Sequence, residues 1–157
     1  MRIIIDDLSH PKVADLLNEH LAGMYASSPA ECVFALDLTA LKAPGITFLT
    51  AWDGDELLAC GAFKQLDAQH AEIKSMRTAQ GYLRRGAAGA ILREIERQAR
   101  ERGIARISLE TGTTPDFIPA HQLYRRHGYA ECGPFADYRE NEFSLFMCKR
   151  LDVANSV

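Results

Sequence analysis

The sequence predicts a single-domain α/β (α+β) protein in which helices are interleaved with the strands of a mixed sheet. Three observations carry that reading. The 157 residues include 47% hydrophobic and 25% charged side chains, enough apolar material for one core without disulfides or metal, and ordinary for a soluble globular protein. Short β-branched or alternating runs recur along the chain, and segments with apolar residues at helical spacing fall between them. No repeat, low-complexity stretch or linker divides the sequence, so residues 1–151 read as one domain and 152–157 as a disordered tail.

Ile3-Ile4-Ile5 marks a first strand over Arg2 to Asp6. Ser9 ahead of Pro11 suits a helix start, because proline's fixed φ and missing N–H are harmless in a first turn. Val13, Leu16, Leu17, Leu21 and Met24 then recur at helical spacing, which predicts one apolar face and an end near Gly23. Ser27-Ser28-Pro29 breaks the pattern, and Phe34 to Leu41 reads as a short helical or irregular segment. Ile46 to Trp52 and Glu56 to Gln65 read as antiparallel strands around a tight turn at Asp53-Gly54-Asp55. Ala71 to Thr78 predicts a further strand. Burying its Glu72, Lys74 and Arg77 without partners would be costly, so they point to a working strand edge.

After a loop from Gly81 to Gly89, Ile91, Leu92, Ile95 and Ala99 form the apolar stripe of a long helix. Gly103 supplies its stop, and Arg100 and Arg102 sit near the negative end of its dipole. Ile104 to Leu109 alternates as a strand. Phe117, Ala120, Leu123 and Tyr124 predict another helix before Gly128, followed by closing strands at Tyr129 to Cys132 and Glu142 to Lys149.

The net charge of −3 removes any global electrostatic case for nucleic acid or an anionic membrane surface, so an anion site must be local. Cys32, Cys60, Cys132 and Cys148 lack the close Cys-x-x-Cys spacing of zinc or redox sites, which predicts reduced thiols and no metal. No charged leader with an apolar signal region opens the sequence, and no apolar run approaches the roughly 20 residues of a membrane span; the expectation is a cytoplasmic protein.

The local anion site is legible. Arg84-Arg85-Gly86-Ala87-Ala88-Gly89-Ala90 runs straight into the long helix, whose first N–H groups carry about half a positive charge. Small residues let a diphosphate approach that backbone, and the arginines add full charges. A nucleotide-triphosphate loop would need lysine and a hydroxyl residue after its last glycine, where Ala90 and Ile91 stand. A dinucleotide fold would need three spaced glycines that Gly86 and Gly89 do not supply.

Over nearly its full length the chain resembles the GNAT superfamily of acyl-CoA-dependent N-acetyltransferases. Leu83-Arg84-Arg85-Gly86-Ala87-Ala88 aligns with the family's pyrophosphate loop, and Ala120, Leu123, Tyr124, Gly128 and Tyr129 match its later pattern. Leu83 stands where Gln or Arg is frequent, and Phe117 where many members carry a cofactor-holding Asn. The resemblance implies a mixed, mostly antiparallel sheet with helices on both faces, acetyl-CoA as cosubstrate, and a primary amine of a small molecule, amino acid derivative or peptide as acceptor. It further implies that Arg84, Arg85, Gly86, Ala87, Ala88, Gly89 and Ala90 hold the pyrophosphate, and that backbone groups of Met76, Arg77 and Thr78 pair with the pantetheine arm. A homodimer is possible.

Acyl transfer to an amine needs the free base, since an alkylammonium with a pKa near 10.4 has no lone pair at neutral pH. By resemblance Glu72 is the candidate base and Tyr124 the donor to the departing thiolate. Glu110, at the end of the following strand, is a rival base, and His70 a proton shuttle or a plain turn residue. The acceptor pocket is expected from Met24 to Phe34 and from Phe135 to Arg139, where an inward Arg139 would favour a carboxylate-bearing acceptor. The alternative to an enzyme is a non-catalytic acyl-CoA sensor or interaction module.

Overall fold

The computed structural model describes residues 1–34, 36–82 and 85–152, and its strands follow the β-rich runs of the sequence. They are β1 (Arg2–Ile5), β2 (Ile46–Asp53), β3 (Glu56–Gln65), β4 (His70–Thr78), β5 (Arg106–Gly112), β6 (Ala130–Glu131) and β7 (Ser144–Arg150). They form one sheet in the order β1-β2-β3-β4-β5-β7-β6. Every neighbouring pair is antiparallel except β4 and β5, which run parallel. The expected tail from Asp152 lies, but for Asp152 itself, outside the described residues.

The helices are α1 (Pro11–Ser27), α2 (Leu38–Leu41), α3 (Ala87–Glu101) and α4 (Ile118–Arg126). They cover both faces, so the central strands are apolar on both sides rather than alternating with polar residues. In β2 the strand period of two sends Phe48 and Trp52 toward α1 and α2, against Val13, Leu16, Leu17 and Leu41. It sends Leu49 and Ala51 the other way, against Ile91, Leu92 and Ile95 of α3.

Three boundaries differ from the sequence expectation, each for a packing reason. First, α1 does not stop near Gly23 but continues to Ser27, and His10 rather than Ser9 caps its start, accepting from the Lys12 N–H at 3.1 Å. Gly23 lies inside the helix over Arg77, where a Cβ would sit in ordinary contact 3.6 Å from the guanidinium. Second, β5 begins at Arg106 because Gly103, at φ 75°, and the Ile104 N–H bond to the Ala99 carbonyl still belong to the end of α3. Third, the closing strands shrink to Ala130–Glu131 and Ser144–Arg150. Asn141 turns the chain just before β7 by accepting from the Phe143 N–H.

Tyr129 enters the core instead of the sheet, and its hydroxyl donates to the buried Glu96 carboxylate at 2.9 Å. Lys149 reaches the same carboxylate at 2.9 Å, tying α3 to β7. Without Lys149 the buried Glu96 charge would keep only the Tyr129 hydroxyl and the more distant Arg100, 3.8 Å away. Lys149→Ala is therefore expected to destabilise the fold by about 2–4 kcal/mol, read as the midpoint shift in urea unfolding.

Candidate active site

The parallel pair at the centre of the sheet does not stay together. β4 and β5 are in register from His70 with Arg106 to Ile73 with Leu109. Beyond that, β5 pairs only with β7, and the Lys74–Thr78 half of β4 has lost its neighbour on that side. The expected working edge is thus present for Lys74 and Arg77. It is wrong for Glu72, which lies within the paired part and is 4% exposed.

Where the strands part, β4 is also irregular. Its register against β3 slips between Cys60 and Ala62, and Ser75 adopts a left-handed φ of 57°. Gly61 makes this possible. A Cβ there would lie 2.3 Å from Met76 Sδ and 2.8 Å from Ile91 Cγ2, so any larger residue would displace the bulge. Among the predicted pantetheine-binding residues, Met76 packs on this face, Arg77 is held by Glu19 at 3.3 Å, and Thr78 stands opposite Ala59.

At one end of the gap, α3 starts at Gly86 with φ 81° and no side-chain cap. The first intrahelical bond is the Ala90 N–H to the Gly86 carbonyl at 3.0 Å, and space around Gly86 is open. The N–H groups of Ala87, Ala88 and Gly89 thus form an uncapped cluster of donors, a fit for a diphosphate. Arg85 stands beside it, half-exposed, 3.5 Å from Asp53 and over the Tyr82 ring. Leu83 and Arg84 lie outside the described residues.

Below the bulge is a cavity of about 80 Å³ lined by Glu72, Lys74, Ser75, Glu110 and Tyr124, with Tyr138 from the β6–β7 connection and His20 from α1. Lys74 Nζ lies 3.0 Å from Glu72 Oε2 and 2.9 Å from the Tyr138 hydroxyl, which itself donates to Glu72. Burial and the Glu72 bond push the Tyr138 phenol well above its ordinary pKa.

Glu110 accepts from the Ser144 hydroxyl at 2.7 Å, and burial raises its carboxyl to about 7. The Tyr124 phenol is pushed far above 10 by burial and by Glu110, so it stays a donor at any physiological pH. Burial lowers His20 to about 4, with Arg77 opposing its charge.

These shifts make stability depend on pH in opposite senses. Glu110 binds its proton more tightly folded than unfolded, so its contribution is complete below about 4.5 and is lost as pH rises through about 7. His20 excludes its proton when folded, so its contribution is complete above about 6.5 and is lost as pH falls through about 4. The two slopes oppose each other between these limits. Replacing His20 with Gln is expected to leave a protein whose unfolding midpoint falls with pH from 4.5 to 7 more steeply than wild type.

Other expectations find their places. His70 is not a turn residue; it opens β4, buried, with Nε2 2.7 Å from Ser108 Oγ. Arg139 is exposed and does not line the cavity. Phe117, where an Asn was expected, packs its ring on Gly112, where a Cβ would lie 2.2 Å from the ring. Ser75 and His20 are cavity residues that sequence reasoning did not single out, and Ser75 is invisible without the bulge. Met24, Phe34 and Tyr138 of the two segments expected to form the acceptor pocket do line the cavity. No group of His, Cys, Asp and Glu suited to a metal occurs among the described residues, and no helix there is long and apolar enough to cross a membrane.

Split parallel strands, an uncapped helix start and a cavity of carboxylate and phenol groups fit the architecture of an acyltransferase. The chain belongs to the acetyltransferase (GNAT) family, whose model matches residues 12–129. It is 51% identical over 151 residues to the uncharacterized N-acetyltransferase YsnE of Bacillus subtilis, covering 96% of this chain and all of that one. It is likewise 51% identical over 152 residues to the uncharacterized N-acetyltransferase YedL of Escherichia coli, covering 97% and 96%. A putative acyl-CoA N-acyltransferase structure from Klebsiella pneumoniae shares the fold at a TM-score of 0.77 and 22% identity, over 96% of this chain and 97% of that one.

Proposed function

We propose that this acetyltransferase takes acetyl-CoA as donor and moves the acetyl group directly to a primary amine of a small molecule, amino acid derivative or peptide. The observation that carries the reading is the parting of β4 and β5 beside the cavity holding Glu110 and Tyr124, together with the uncapped start of α3. Residues 84–90 bind the diphosphate, and the unpaired edge at Met76, Arg77 and Thr78 receives the amide-bearing arm as an added strand. That arm delivers the thioester to the cavity.

Glu72 and Glu110 are the two carboxylates beside the reacting atoms. Glu72 accepts from both Lys74 and Tyr138 on Oε2, which makes it an anchor for the cavity wall. Glu110, with a carboxyl near 7, is matched to take a proton at neutral pH. The amine nitrogen attacks the thioester carbonyl carbon and forms the C–N bond while Glu110 accepts an N–H proton. The tetrahedral intermediate then expels the sulfur, breaking C–S, and Tyr124 donates its proton to the leaving thiolate. Tyr124 recovers a proton from Glu110, so the balance is amine plus thioester to amide plus thiol. Cys60 is unsuited to a covalent route, because burial raises its thiol to about 12.

Release of free CoA from acetyl-CoA, followed with a thiol reagent across a panel of primary amines, tests this reading. Acceleration over the amine-free rate by at least one amine, with an N-acetyl product of matching mass, is expected. Tight acetyl-CoA binding without any acceleration would refute the amine reading.

A further inference from the structure

Resting on the reading of an amine acceptor, we infer that the Ser75 hydroxyl is an acceptor-binding group that selects primary over secondary amines. Ser75 stands in the bulge of β4 with a φ of 57°, a conformation that strains serine and suits glycine. It is buried, lines the cavity, and its Oγ has no hydrogen-bond partner among the described residues. A buried hydroxyl left unpaired is unfavourable, and so is the backbone conformation that puts it there. Both costs fall on one residue at the point where the strands part, which is the signature of a group awaiting a ligand.

The neighbours narrow what that ligand atom is. Glu72, Lys74 and Tyr138 bond one another, and Glu110 takes the Ser144 hydroxyl on one oxygen. An attacking primary amine presents a lone pair to the thioester carbon and two N–H bonds to the enzyme. Glu110 receives one. Ser75 Oγ, with lone pairs uncommitted in the protein, receives the other after a change of rotamer, and so fixes rotation about the C–N axis with the lone pair aimed at the carbonyl. An N-methyl amine has no second N–H to offer and meets Ser75 with a methyl group instead.

The test compares wild type with Ser75→Gly and Ser75→Ala on primary amines, each paired with its N-methyl counterpart (for example 2-phenylethylamine and N-methyl-2-phenylethylamine). Wild type is expected to favour the primary member. Both variants should lose about tenfold in kcat/KM on it while changing less than threefold on the secondary one. Acetyl-CoA affinity should be unchanged by calorimetry, and the Tm of Ser75→Gly should equal or exceed that of wild type because the backbone strain is relieved. A purely structural serine would leave the primary-to-secondary ratio unmoved, and an unmoved ratio overturns the inference. Absence of turnover on every amine by wild type is a different result, which removes the amine reading and this one with it.

Discussion

Glu110→Gln is expected to lower kcat/KM for amine acetylation by about 10²–10⁴-fold at pH 7.5, with acetyl-CoA affinity within a factor of about three of wild type. The amide keeps the size of the carboxylate and can still accept from Ser144, so the fold should survive; what is lost is the proton acceptor. The pH profile makes the result diagnostic. In wild type, kcat/KM should rise through about 7 as Glu110 ionises, and continue upward as more of the amine loses its own proton. In Glu110→Gln the inflection near 7 should vanish and only the amine's titration remain. Glu72→Gln should keep that inflection, because Glu72 acts through its bonds to Lys74 and Tyr138. A wild-type inflection that disappears in Glu72→Gln and persists in Glu110→Gln would reverse the two assignments.

Ala88→Asp is expected to weaken acetyl-CoA binding by at least about 100-fold while leaving the fold intact or slightly stabilised, two effects of opposite sign from one charge. Ala88 is in the first turn of α3, where no side chain caps the N–H groups and no acidic residue occurs. A carboxylate there complements the helix dipole and adds about 0.3–1 kcal/mol to stability. The same carboxylate occupies the donors that a diphosphate would use and repels its charge. Calorimetry for binding and thermal unfolding for stability read the two effects separately. Unchanged affinity would show that the diphosphate lies elsewhere, and with it the alignment of the pantetheine along β4.

The element pattern was readable because it depends on local rules. Apolar residues at a period of 3.6 in α3, a tight hairpin turn at Asp53-Gly54-Asp55, and the glycines past α3 and α4 act over a few residues, and each appears near its expected position. Boundaries failed where a distant residue decided them. Gly23 looks like a helix stop until Arg77 is seen beneath it, and Tyr129 looks like a strand residue until Glu96 is seen to hold its hydroxyl.

The site divides along the same line. Small residues ahead of an amphipathic helix mark the proposed phosphate-binding backbone in the sequence itself, because that chemistry belongs to a helix start. The identity of the proton acceptor could not be read that way. Glu72 and Glu110 both stand in short strand-like runs, and only their surroundings separate them: one clasped by a lysine and a tyrosine, the other half-buried with a single serine.

By itself the sequence determined the succession of strands and helices and the family, and it marked the proposed anion-binding loop, since these rest on periodicity and on motifs of contiguous residues. Only the tertiary structure decided where β4 and β5 separate, that Ser75 and Tyr138 share a cavity with both glutamates, and which carboxyl holds its proton near neutrality. The Ser144 partner of Glu110 and the Tyr138 partner of Glu72 lie 34 and 66 positions away in the chain, and no local pattern encodes them.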